Sequence, residues 1–150
     1  MTIVDGLIIV AALGCGLIAG VFFAFSNFVM KALDRIDPAS GMSAMQSINV
    51  VVLNPLFLSV FAGTAFLCAI LAFLRWENPW LLAGCLLYVI GTFGVTMFFN
   101  VPRNEALGKV DPGQPGALEA WRGYVVSWTR WNHVRTLAAL AAAALLLYRT

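Results

Sequence analysis

The chain has 150 residues, of which 61% are hydrophobic and only 11% are charged, and its mean hydropathy is +0.89. This balance is unlike that of a soluble globular protein and predicts one integral membrane domain over residues 1–150. The formal net charge is +2, with no cluster of basic residues, which excludes nucleic acid as a partner.

Four apolar segments are predicted to cross the membrane, because a span needs roughly 20 such residues. They lie at about 6–30, 55–74, 79–100 and 128–148. The last segment reaches the length of a span only if it includes the polar stretch from Trp128 to Thr136. We therefore expect an all-α fold, namely a four-helix membrane bundle.

An additional helix is predicted between spans one and two. Asp37, Asn54 and Asn78 each stand directly before a proline, and such a pair starts a helix because the side chain caps it and proline fits its first position. The first pair predicts an amphipathic interfacial helix at about 38–53, and the other two begin spans two and three. Asp111 opens a loop before the last helix.

The basic residues predict the orientation, because short cytoplasmic loops carry an excess of lysine and arginine. Seven basic residues follow spans one and three, namely Lys31, Arg35, Arg103, Lys109, Arg122, Arg130 and Arg135, against Arg75 and Arg149 on the other side. We expect both termini outside and the two long connections in the cytoplasm. The expected location is the inner (plasma) membrane of a bacterium.

Small residues recur every four positions in span one, at Ala12, Gly16, Gly20 and Ala24. Such a face lets another helix approach closely. We interpret it as a helix contact rather than a ligand contact. A homo-oligomer joined through Ala12, Gly16 and Gly20 is one form that this contact would take.

Polar and aromatic residues collect at the predicted cytoplasmic ends of spans one, three and four and in the interfacial helix. Steps of 100° place Trp121, Tyr124, Trp128, Trp131, Asn132 and Arg135 on one face of the last helix. The same end of the bundle holds Ser26, Asn27, Gln46, Asn49, Asn100, Arg103, Asn104 and His133. We predict a pocket that binds a flat, partly polar aromatic molecule, roofed by the aromatic residues, with membrane lipid as the other partner.

Four of these residues are candidates for chemistry. Asn100, Asn132 and Arg135 carry donors for a carbonyl or a developing oxyanion, and His133 is the natural general base because imidazole titrates near neutral pH. Three of them have an alternative: an ion pair or headgroup contact for Arg135, helix capping for Asn100, and an interfacial hydrogen bond for His133. One histidine without a nearby cysteine is a weak metal ligand set, and the three cysteines are expected to be buried small hydrophobes.

Five strings, GVFFAFSNFVMKAL, GMSAMQSIN, NPLF, FNVPRNEAL and WTRWNHVRTLAALAA, resemble in this order the anthrone-oxygenase-like family of small integral membrane proteins, a DUF1772-type group. The resemblance runs from about Gly20 to Ala142. It implies an oxygenase or oxidoreductase that uses molecular oxygen without a cofactor, metal or flavin, on an anthrone- or quinol-like aromatic. It also implies a base for a C–H proton and donors for the resulting enolate. We assign His133 as the base and Asn100, Asn132 and Arg135 as the donors.

Two other functions stay open. The protein would be a non-catalytic membrane scaffold or assembly module if its polar cluster is structural. A small transporter is disfavoured, because no span carries an acidic residue in its middle.

Overall fold

A computed structural model describes residues 2–148, which form five helices and no strand. The helices are α1 (Ile3–Arg35), α2 (Pro38–Val51), α3 (Pro55–Leu74), α4 (Pro79–Gly108) and α5 (Ala117–Leu147). The prediction of an all-α fold is therefore confirmed. Helices α1, α3 and α4 are long and apolar enough to cross a membrane. Helix α5 is not among them, so the four-span bundle stays a prediction.

The helix starts follow from local capping. The side chains of Asp37, Asn54 and Asn78 each accept a hydrogen bond from the backbone N–H three residues further on, at 3.0, 3.0 and 3.2 Å. A proline occupies the first position of each helix that follows. These caps satisfy amide groups that have no partner inside the helix, which confirms the starts of α2, α3 and α4.

The long helices α1 and α4 contain π-helical segments in their middle or towards their polar ends. They are Phe25–Val29 in α1, and Leu87–Gly94 and Thr96–Asn100 in α4. Helix α4 then continues through Pro102 to Gly108, so it passes the predicted end of span three at residue 100. The side chain of Asn100 forms no capping hydrogen bond, and the capping alternative for Asn100 is wrong.

The core lies where α5 packs antiparallel along α1 and α4. Near one end, Gly84 of α4 approaches Leu146 of α5, and near the other end Asn100 meets Trp128. The three cysteines, Cys15, Cys68 and Cys85, are free and buried in the apolar part of this core, as expected. A second cluster of buried residues lies towards the other end of the protein. It contains the methionines of α2 and the buried aromatic residues of α5.

The small-residue face of α1 does not give a close helix approach within this chain. Ala12 is buried, but Gly16 is half-buried and Gly20 is exposed. A methyl group on either glycine would have no neighbour within 4 Å. The homo-oligomer through this face stays a prediction.

We expect Gly91→Ala to lower the stability of the protein in detergent. A Cβ atom at Gly91 would lie 2.7 Å from the Cβ atom of Ala138, so α4 and α5 would have to separate, at a cost of about 1–3 kcal/mol. Helical circular dichroism during thermal unfolding measures this. Gly16→Ala is the matched control, and equal melting temperatures for the two variants would contradict the packing of α4 on α5.

Candidate functional site

The polar and aromatic face predicted for α5 points into the protein. Trp121, Tyr124, Trp128, Asn132 and Arg135 are all buried. They recur at intervals of three and four residues, so a continuous α-helix places them along one side. The local sequence therefore presents a guanidinium and an amide in the same stripe as three large aromatic rings.

Arg135 is 4% exposed, and its guanidinium is held by both hydrogen bonds and rings. One terminal nitrogen donates to Asn132 Oδ1 at 2.6 Å and the other to Thr96 Oγ1 at 3.3 Å. The Cζ atom lies 4.0 Å from the ring centroid of Phe22 and 5.0 Å from that of Trp128. The Nε atom is buried without a hydrogen-bond partner. No carboxylate of residues 2–148 pairs with this cation.

Asn132 joins α5 to α1 and orients Arg135. Its Nδ2 atom donates to the backbone oxygen of Phe22 and to Ser26 Oγ, both at 2.8 Å. Thr136 Oγ1 in turn donates to the backbone oxygen of Asn132 at 2.8 Å and lies 3.1 Å from Ser26 Oγ. Because α1 holds the amide nitrogen of Asn132, the Oδ1 atom of the same amide points towards the guanidinium.

Asn104 forms a second junction, between α4 and α5. Its Oδ1 atom accepts from Trp128 Nε1 at 2.8 Å and from the Tyr124 hydroxyl at 2.9 Å. Burial raises the pKa of the Tyr124 phenol above its usual range, so the hydroxyl remains protonated and can donate. Asn49 of α2 reaches the same hydroxyl at 3.5 Å.

Three other predicted site residues bond to the backbone. Gln46 Nε2 donates to the carbonyl oxygens of residues 107 and 110, at 2.8 and 2.9 Å. Arg103 donates to the carbonyl oxygen of Phe99 at 2.6 Å. Asn100 Nδ2 donates to the carbonyl oxygen of Trp128 at 3.3 Å, while its Oδ1 atom is buried without a partner. The Gln46 bonds join α2 to the end of α4 and the chain after it, the Asn100 bond joins α4 to α5, and the Arg103 bond lies within α4.

A cavity of about 480 Å³ lies between these helix ends and is mostly apolar. Its aromatic lining includes Phe22, Phe25, Phe57, Phe61 and Trp128, and its polar lining is Gln46, Asn49, Thr96, Asn104, Glu105 and Arg135. The structure thus brings Gln46, Asn49, Asn104, Trp128 and Arg135 to one cavity. Sequence reasoning missed Glu105, although it directly follows Asn104 in a string already considered. It also missed Phe57 and Phe61, which no polar signal marks.

The other predicted site residues do not line this cavity. His133 is exposed on another face of α5, beside a separate groove, and Asn27 is exposed on α1. Trp131 is half-buried and stacks on Phe99 with 3.7 Å between ring centroids. The lining also excludes Asn100, Arg103, Trp121, Tyr124 and Asn132. The predicted roles of these side chains stay predictions.

No group of three His, Cys, Asp or Glu side chains within residues 2–148 is placed to hold a metal ion. The fold and the site define a helical membrane protein with an aromatic cavity at one end, where a buried arginine has no counter-ion among residues 2–148. The sequence profile of the anthrone oxygenase family matches residues 49–145, more than half of the chain. The chain belongs to this family, which confirms the resemblance. Comparisons with curated proteins and with solved structures found no match.

We expect Asn104→Ala to destabilise the protein by about 1–3 kcal/mol for each donor that loses its acceptor. The variant leaves Trp128 Nε1 and the Tyr124 hydroxyl unpaired. Thermal unfolding followed by tryptophan fluorescence measures the loss. Asn27→Ala removes the same side chain from an exposed position of α1, and an equal loss in both variants would show that the Asn104 junction contributes nothing.

Proposed function

We propose that the protein is a membrane-embedded oxygenase, or a related oxidoreductase, that acts on a hydrophobic aromatic molecule of the anthrone or quinol type. Membership of the anthrone oxygenase family supports oxygen chemistry. The single observation that carries the proposal is Arg135, which is buried on an aromatic cavity, has no counter-ion in the described part of the chain and has a free Nε donor.

The cavity suits a flat hydrophobic ring system. Its volume of about 480 Å³ falls in the range of roughly 300–1,000 Å³ that is usual for small-molecule sites. Phe22 and Trp128 lie on the guanidinium, and Phe57 and Phe61 extend the aromatic lining towards α3. A fused aromatic substrate would stack on these rings and present a ring oxygen to Arg135.

Arg135 would stabilise the negative charge that develops on that oxygen. A donor fixed in advance and shielded from water stabilises an oxyanion strongly, because little reorganisation is needed when the charge forms. The electron-rich enolate or phenolate then reacts with molecular oxygen. In the anthrone case a ring methylene becomes a carbonyl, and its two hydrogens leave with the second oxygen atom as water. The proposal includes no metal and no other cofactor.

Glu105 is our candidate for the proton acceptor. Among the described residues it is the one carboxylate on the lining of the cavity, and carboxylates are common general bases. His133, the base predicted from the sequence, lies beside a different groove. The two assignments are therefore separate proposals that one pair of variants distinguishes.

The membrane arrangement is part of the same proposal. Helix α5 runs antiparallel beside α1. Several alanines in the last third of α5 are buried, among them Ala138, Ala139 and Ala142. We propose that residues 128–148 form the fourth span, with the cavity on the cytoplasmic side, both termini outside and the bacterial inner membrane as the location.

One observation favours the scaffold function instead. Asn132 uses its amide to join α1 and α5, and Arg135 donates to Asn132. A network of this kind holds a helical bundle together whether or not a ligand binds. For a scaffold, the Arg135 contacts would stabilise the fold, and no substrate would be oxidised.

The proposal predicts that purified protein in detergent consumes oxygen when anthrones or hydroquinones are added. Arg135→Leu should lower kcat/KM by about 10²–10³-fold, as expected for the loss of an oxyanion donor. Arg122→Ala, an exposed arginine of α5 outside the cavity, is the matched control. Wild-type uptake at the no-protein rate for every compound, with Arg135→Leu only lowering the melting temperature, would support the scaffold.

A second prediction concerns the proton. Glu105→Gln removes the base but keeps the shape of the side chain, so kcat should fall by about 10²–10⁴-fold, while quenching of tryptophan fluorescence by a substrate analogue is retained. A loss of kcat confined to His133→Gln would instead assign the proton to His133 and contradict the role of Glu105.

A further inference from the structure

A second groove, of about 350 Å³, lies between α1 and α5 on the side of α5 away from the aromatic cavity. Its floor is apolar and includes Met30 and Val125. Thr129 also lines it, and the Oγ1 atom of Thr129 is buried without a hydrogen-bond partner. The proposed oxygenase chemistry uses none of these residues.

Charged and polar side chains surround the groove. Lys31 and Asp34 come from α1, and Arg130 and His133 come from α5. Within the described residues, no ion pair joins Asp34 to Lys31 or Arg130. The groove thus presents two permanent cations, an imidazole and a carboxylate that do not neutralise one another by direct contact.

An apolar surface continues from the groove along α5. Leu137 and Leu140 are 67% and 57% exposed and follow His133 at four and seven positions, which is the same side of the helix. Lys31 is the first charged residue of α1 after Asp5, so it marks the polar end of a candidate membrane span. In a membrane spanned by α1, the charges would lie near the lipid headgroups and the leucines beside the acyl chains.

We propose that this groove binds a phospholipid whose headgroup carries both a phosphate and a primary ammonium group. Lys31, Arg130 and His133 donate to the phosphate, as snorkelling basic residues do. Asp34 accepts from the ammonium group, and one acyl chain lies along Leu137 and Leu140. A zwitterionic headgroup fits because the groove itself carries both positive and negative side chains. A purely anionic lipid would place negative charge beside Asp34.

Native mass spectrometry of the full chain in detergent tests this with three phospholipids of identical acyl chains. We expect phosphatidylethanolamine to bind about tenfold more tightly than phosphatidylglycerol or phosphatidylcholine. Of the three, it alone has an ammonium N–H that can donate a charge-assisted hydrogen bond to Asp34. Phosphatidylcholine carries a phosphate and a cation but no ammonium N–H. Equal binding of all three lipids by the wild-type protein would overturn the proposal without any variant.

Variants locate the site. Lys31→Ala with Arg130→Ala should weaken phosphatidylethanolamine binding about tenfold or more, and Asp34→Asn should remove the preference over phosphatidylglycerol. Arg122→Ala is the control outside the groove, and helical circular dichroism verifies the fold of each variant. Unchanged lipid binding in the double variant, or displacement of the lipid by millimolar inorganic phosphate, would overturn the assignment. Oxygen uptake is a separate measurement, so its failure leaves this test intact.

Discussion

The hydrogen bond from Arg135 to Asn132 is the interaction on which the polar end of the bundle depends. An ionised guanidinium in apolar surroundings is costly unless its donors are used. Asn132 meets part of this requirement because its own amide is fixed on α1 by the Phe22 carbonyl and Ser26. The position of α1 against α5, the orientation of Arg135 and one wall of the cavity therefore depend on the same amide.

Asn104 and Gln46 stabilise the structure around this contact without competing for it. Asn104 accepts from Tyr124 and Trp128, and Gln46 bonds to backbone carbonyls. The Oδ1 atom of Asn104 and the Nε2 atom of Gln46 are thus used within the protein. Arg135 differs because its Nε donor has no partner and its neighbours on the cavity side are rings. Among the polar residues of the cavity, Arg135 is therefore the one best prepared to bind an anionic oxygen.

Features set by neighbouring residues in the chain could be predicted from the sequence. Asn54 and Asn78 marked helix starts because capping involves only the next three residues, and the buried face of α5 followed from helical periodicity. The cavity could not be predicted in full. Phe57 and Phe61 belong to a helix that is apolar on every side, so periodicity does not show which side faces the ligand. Glu105 reaches the lining beyond the π-helical turns of α4, and such turns rotate every later residue by an amount that the sequence does not specify.

His133 shows how one position along a helix separates two kinds of site. It follows Asn132 directly, so its side chain points about 100° away from the buried amide, and the structure places it in the groove with Lys31, Asp34 and Arg130. Grouping residues by their distance along the chain put His133 beside Arg135, because both lie at the same depth of the bundle. Residues on every side of a helix can lie at the same depth of the bundle. Residues that act on one ligand must lie on the same side. On this ground the string WNHVR serves two surfaces: Arg135 lines the aromatic cavity, held there by Asn132, and His133 lines the groove between α1 and α5.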